Sequence, residues 1–174
     1  MVRLVVEGYV GLGSDLGDRE AYLRAGIEGI ARRGLVPHAL SSVWETQPVD
    51  TGEPLWFLNM AVRVATGLPP EEVLDRLLEV EAEVGRVRTS RNAPRVLDLD
   101  LLMLGNFRRD GGRLVLPHPR MWERRFVLAP LDEIAPGLVN PGSGRTVREE
   151  LAALPDPHAV RKVGTLALPG ARPV

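Results

Sequence analysis

The chain has 174 residues, 44% hydrophobic and 26% charged, with a net charge of −1, which is the composition of one soluble globular domain long enough to bury a core. It has no cysteine, so disulfides and thiolate metal sites are excluded. The opening run Val2 to Leu12 is broken by Arg3 and Glu7, is too short to span a bilayer and lacks the marks of a signal peptide, so no membrane association and a cytoplasmic location are expected.

In chain order, Leu4, Val6 and Val10 open a first strand, and Gly11 to Gly17 read as a turn. That glycine cluster is no dinucleotide loop, because Leu16 stands where the third glycine would be needed. Asp18 is a candidate N-cap for a helix carried by Leu23, Ile27 and Ile30 and closed by Gly34. Strand-type residues fill 35–46 and 56–65, with an irregular loop from Gln47 to Pro54 between them. Phe57 and Asn59 fall on one face of the second. A helix starts at Pro69-Pro70-Glu71-Glu72 and carries the stripe Val73, Leu74, Leu77, Leu78 and Val84. Glu81 lies on or beside that stripe, where it either forms a buried ion pair or supports a metal site.

After Gly85 comes G-R-V-R-T-S-R-N-A-P-R-V-L-D-L-D, an arginine-rich segment that runs into an alternating strand. The pattern puts Leu97, Leu99, Leu101 and Met103 on one side and Asp98 with Asp100 on the other. Alternate strand residues stand roughly 6.5 to 7 Å apart, so both carboxylates can serve one hard cation or a pair of them, of the Mg²⁺ or Mn²⁺ kind. The plainer alternative is an edge strand with a solvated outer face. From Arg86 to Arg125, ten arginines stand against Asp98, Asp100, Asp110 and Glu123, and such asymmetry concentrates anions. Turns follow at Gly105-Asn106 and Asp110-Gly111-Gly112, then a short strand to Leu116, the run Pro117-His118-Pro119-Arg120, an apolar segment 127–134 and a short helix 146–154. The expected organisation is one catalytic domain over 1–155 and an extension over 156–174 with little structure of its own. The order strand, helix, strand, strand, helix, strand implies an α+β, ferredoxin-like sandwich, an antiparallel sheet with helices packed on it.

With these segments placed, the chain resembles the 6-hydroxymethyl-7,8-dihydropterin pyrophosphokinase family. The likeness rests on G-L-G-S-D-L-G, W-E-T-Q-P-V followed by F-L-N, the run G-R-V-R to D-L-D-L-L, L-P-H-P-R-M and R-R-F-V-L-A-P-L, in that order. It implies a compact monomer that moves diphosphate from ATP to a dihydropterin alcohol with a pair of Mg²⁺ ions, and binds neither nucleic acid nor membrane. By the same resemblance Asp98 and Asp100 hold metal and, with Arg86 and Arg95, are catalytic. Glu81, Arg86, Arg95, Arg113, His118 and Arg124 lie at the nucleotide, and Thr46, Gln47, Pro48, Val49, Phe57, Asn59 and Phe126 at the pterin. Asn92 stands where some relatives carry a tryptophan, in a loop one residue shorter, and Asp50 where many have glycine. Two other readings use the same residues: a different metal-dependent nucleotidyltransferase or phosphohydrolase, and a non-catalytic RNA-binding module of the same fold. A P-loop kinase is excluded, since no G-x-x-x-x-G-K-[ST] occurs.

Overall fold

Two long strands set the frame of the sheet. In the computed structural model, which describes residues 3–46, 56–85 and 96–170, β1 (Val6–Ser14) and β4 (Phe57–Thr66) pair antiparallel from Val6 opposite Thr66 to Ser14 opposite Leu58. Directly opposed residues share a face. One face therefore collects Val10, Leu12, Met60, Val62 and Val64, all buried. The helices α1 (Arg19–Ala31) and α2 (Pro70–Val84) pack on this face through Leu23, Ile27, Ile30, Val73, Leu77 and Val80. Asp18 caps α1 by accepting from the Ala21 amide at 3.1 Å, and Gly85 ends α2 in the left-handed region at φ 106°. The two helices approach closely at Gly29, where a Cβ would lie 2.7 Å from Val80 Cγ1.

The remaining strands are β2 (Val36–Leu40), β3 (Val43–Thr46), β5 (Asp98–Leu104) and, after a separate hairpin of β6 (Arg109–Gly111) and β7 (Leu114–Leu116), β8 (Val160–Gly164). The main sheet runs β5-β1-β4-β3-β8, with β2 also paired to β4. All of its pairings are antiparallel. This is the expected ferredoxin-like α+β sandwich. The second face is covered over part of its length by α3 (Arg125–Ile134), α4 (Val147–Ala153) and a 3₁₀ turn at Met121–Glu123, which enclose Tyr9, Ala61, Leu102, Met103, Leu128 and Leu131.

Three local features depart from the sequence reading, and a fourth, the apolar segment 127–134, gains an assignment that the reading left open. Gly11 to Ser14 lie within β1, and the strand ends only before Asp15; Gly13 serves a close approach inside the strand. Met103 sits on the opposite face from Leu97, Leu99 and Leu101, because the β1–β5 register shifts between Tyr9 and Val10 and leaves Leu102 as an extra residue. The segment 127–134 is helical despite Pro130. Finally, the described part of the extension, 156–170, contains β8, which joins the edge of the sheet and sets Val160 opposite Thr46 and Lys162 opposite Trp44.

Candidate active site

The part of the second sheet face beyond α3 and α4 is built in rows. Asp98 stands opposite Gly13, Gly13 opposite Asn59, and Asn59 opposite Trp44; in the next row Asp100 stands opposite Gly11 and Gly11 opposite Ala61. Strands lie about 4.8 Å apart, so the acids on β5 and the amide on β4 flank a glycine-floored trough on the order of 10 Å wide at the backbone. Both aspartates are intermediate in burial. β5 ends the sheet among the described residues, yet its acidic face is half-sheltered rather than fully solvated.

Gly13 is required for this floor. A Cβ there would sit 2.8 Å from Asn59 Oδ1. The Asn59 amide lies across the sheet, its Nδ2 donating to Thr46 Oγ1 at 2.7 Å, and Thr46 is buried. Phe57 stands opposite Thr46, one row further on and on the same face. An amide and a ring thus occupy one end of the trough.

The other wall comes from the chain between β7 and α3. Arg124 precedes the first residue of α3 and lays its guanidinium over the Phe126 ring, 5.5 Å from the centroid. Burial pulls the Arg124 pKa down and the charge of Arg120 adds to this, while Asp100 and Asp98 oppose it. His118 is fixed by its backbone, whose amide donates to the Leu102 carbonyl at 2.8 Å, and its Nδ1 accepts from the Arg120 amide at 3.3 Å. That assignment puts the proton of the neutral ring on Nε2. Burial lowers the His118 pKa, Arg124 and Arg120 push the same way, and Asp98 opposes them. His118 and Arg124 thus both lie in the field of Asp98, with Asp100 acting on Arg124 and Arg120 acting on both basic groups. Such a site suits a polyanion that brings cations with it.

A family profile described as 7,8-dihydro-6-hydroxymethylpterin-pyrophosphokinase (HPPK) matches residues 9–136. The chain belongs to the HPPK family. It is 44% identical over 160 residues to the 2-amino-4-hydroxy-6-hydroxymethyldihydropteridine pyrophosphokinase of Methylorubrum extorquens, covering 91% of this chain and 99% of that one. With the Bacillus subtilis enzyme of the same name it shares 45% over 127 residues, 72% of this chain and 76% of the relative. Among solved structures, Plasmodium falciparum HPPK-DHPS with pteroate superposes with a TM-score of 0.70 at 13% identity, over 87% of this chain and 43% of that one. That likeness concerns the fold, and this chain spans less than half of the larger protein.

Against the residues expected from the HPPK resemblance, the structure brings Asp98, Asp100, His118 and Arg124 into one electrostatic group, with Phe126 beneath Arg124. Thr46, Phe57 and Asn59 share the same sheet face. Arg113 is turned to α2, where it ion-pairs with Asp75 and reaches the Glu71 carbonyl at 3.4 Å. Glu81 is buried on α2, in the layer on the other side of the sheet. Gln47, Pro48, Val49, Arg86 and Arg95 lie outside the described residues, as do Asp50 and Asn92.

Two contributors escaped the sequence reading. Arg120 acts on both His118 and Arg124, and its signal was its place in Pro117-His118-Pro119-Arg120. Gly13 falls in phase with Gly11 on an alternating strand, and that phase is its signal. As to metals, no group of three or more His, Asp or Glu side chains among the described residues is placed to hold an ion. A closed site of the zinc type does not fit, whereas two half-exposed carboxylates fit a hard divalent ion that completes its shell with water and phosphate oxygens.

Proposed function

We infer that this chain is an ATP-dependent pyrophosphokinase that transfers diphosphate to 6-hydroxymethyl-7,8-dihydropterin in folate biosynthesis, yielding AMP and the pterin diphosphate. The observation that carries the reading is the row Asp98–Gly13–Asn59 on the part of the sheet face beyond α3 and α4, next to Arg124 and Phe126. Phe57 and Phe126 supply the aromatic faces a flat pterin needs, and Asn59, positioned by Thr46, reads its hydrogen-bonding edge, together with Gln47, Pro48 and Val49 of the adjoining loop.

In the reaction the hydroxymethyl oxygen attacks the β-phosphorus of ATP, a new oxygen–phosphorus bond forms, the bridge to the α-phosphorus breaks, and AMP leaves with that bridging oxygen. The alcohol proton is released. Asp98 and Asp100 would hold Mg²⁺, a pair of ions in our reading, whose chemistry is to neutralise charge on the triphosphate oxygens. Arg124 and Arg120 bring further positive charge to one side of the trough, neutral His118 offers an Nε2–H donor, and Arg86 and Arg95 act from the segment before β5. Arg113 and Glu81 would take up their expected nucleotide contacts only with local rearrangement of the Arg113–Asp75 pair and of the end of α2. The protein is proposed to act as a monomer in the cytoplasm, since one chain supplies both walls of the site.

The test is incubation with ATP, Mg²⁺ and 6-hydroxymethyl-7,8-dihydropterin. AMP and pterin diphosphate should form in equal amounts. Release of ADP or free phosphate, or AMP without pterin diphosphate, would overturn the assignment in favour of another nucleotide-cleaving enzyme.

A further inference from the structure

The helix that carries Phe126 has no cap of its own. Arg124, at the N-cap position of α3, makes no side-chain capping bond, although the first amides of a helix lack intrahelical partners and sit at the positive end of its dipole. The missing acceptor comes from far along the chain. Asp156 Oδ2 accepts from the Arg125 amide at 3.0 Å. The Arg125 side chain returns the contact, donating to the carbonyls of Leu154 at 3.1 Å and Asp156 at 3.3 Å. The other carboxylate oxygen, Oδ1, accepts from the His158 amide at 2.9 Å and is paired with His158 Nδ1. The Asp156 side chain is only 10% exposed. Burial alone would raise its pKa, but the amides of His158 and Arg125 overcome this and leave it below the usual carboxylate range.

Two residues after His158 the same strap becomes β8 and pairs with β3, Val160 facing Thr46. One short segment therefore grips both sides of the trough: the residue between Arg124 and Phe126 on one side, and the strand that carries the Asn59 partner Thr46 on the other.

We propose that Asp156 is a positioning residue for the transfer reaction, fixing the start of α3 so that Arg124 and Phe126 are held at the correct separation from Asn59 and Thr46. The proposal rests on the pyrophosphokinase reading above. Asp156 touches neither substrate. Its effect passes through the Arg125 amide, and misplacement of positioned groups by about 1 Å can cost as much as roughly 100-fold in rate.

The test compares wild type with Asp156→Ala and Asp156→Asn, at a temperature well below the unfolding midpoint of each. Asp156→Ala is expected to raise the KM for the pterin by about 10-fold or more, with a smaller change for ATP, whose expected contacts include residues outside α3. Asp156→Asn keeps an acceptor for the Arg125 amide and should restore much of the loss. Hydrogen exchange across 125–128 should speed up in the alanine variant and recover in the asparagine one. If Asp156→Ala does not fold, the asparagine variant decides, with an intermediate rise in pterin KM expected. Faster exchange or a lower melting temperature with unchanged kinetic constants would make Asp156 merely structural and overturn the proposal. A wild-type protein that forms no AMP from these substrates would overturn the functional reading, and the positioning role with it.

Discussion

Asp98 and Asp100 carry the sharpest test at the level of single side chains. Both sit on a half-sheltered strand face rather than in the core, so Asp98→Ala should leave the melting temperature nearly unchanged while AMP formation falls by orders of magnitude. Near-normal turnover would remove its metal role. Phe126 should separate the substrates: Phe126→Ala removes a ring that also supports Arg124, yet pterin affinity should fall far more than ATP affinity in direct titrations, and an equal loss would contradict the stacking role. His118 gives a pH signature. Its folded pKa is lowered by burial first and by Arg124 next, so its stability contribution is complete above the unfolded value of about 6.5 and is lost as pH falls through the lower folded value. The unfolded chain takes up a proton that the folded site resists. His118→Gln should therefore flatten the decline in melting temperature on going from about pH 7.5 to about pH 5, a window set by that same unfolded value; an unchanged slope would mean that another group governs it.

At the level of elements, the strands and helices with a regular period could be read directly from the residues. α2 announces itself through Pro70, Glu71, Glu72 and the stripe ending before Gly85, and β5 through strict alternation from Leu97 to Leu101. What could not be read has a common physical cause, which is support from distant chain. α3 contains Pro130 and has Arg124, a poor N-cap, before its first residue; its acceptor is Asp156. β8 contains Arg161 and Lys162 and exists as a strand because β3 offers it an edge. Gly11 and Gly13 look like a turn until their cross-strand neighbours are known, and of the candidate site residues Arg113 could not be placed without seeing Asp75. Gly13→Ala tests this close approach. The nearest atom to its new methyl is the movable end of Asn59, so stability should fall by less than about 1 kcal/mol, while pterin affinity drops because the Asn59 amide is displaced from Thr46. Gly29→Ala is the contrasting case. Its methyl meets Val80 at 2.7 Å inside the packed α1–α2 contact, so thermal melts should show a loss of about 1–3 kcal/mol despite the higher helix propensity of alanine.

Across the whole molecule, one sheet serves two purposes on its two faces. One face bears α1 and α2 on an apolar surface that gives way to the Glu45–Arg161 ion pair at the β3–β8 edge; the other is apolar under α3 and α4 and carries the polar row beyond them. Stability and chemistry are thereby separated by the thickness of a single layer, and β5 must supply both. It does so by an extra residue, Leu102, opposite the junction of Tyr9 and Val10. This gives the strand a reading frame. Loss of Leu102 would close the gap while leaving the acids outward and Leu104 inward, but it would forfeit a fully buried side chain and the carbonyl that holds the His118 amide. Loss of Leu99 would bring the letters out of step, turning a carboxylate toward Leu12 and Leu77 and exposing leucine to water. A deletion at Leu102 should therefore keep the facing of β5 at a cost in stability, whereas one at Leu99 should lose the facing as well.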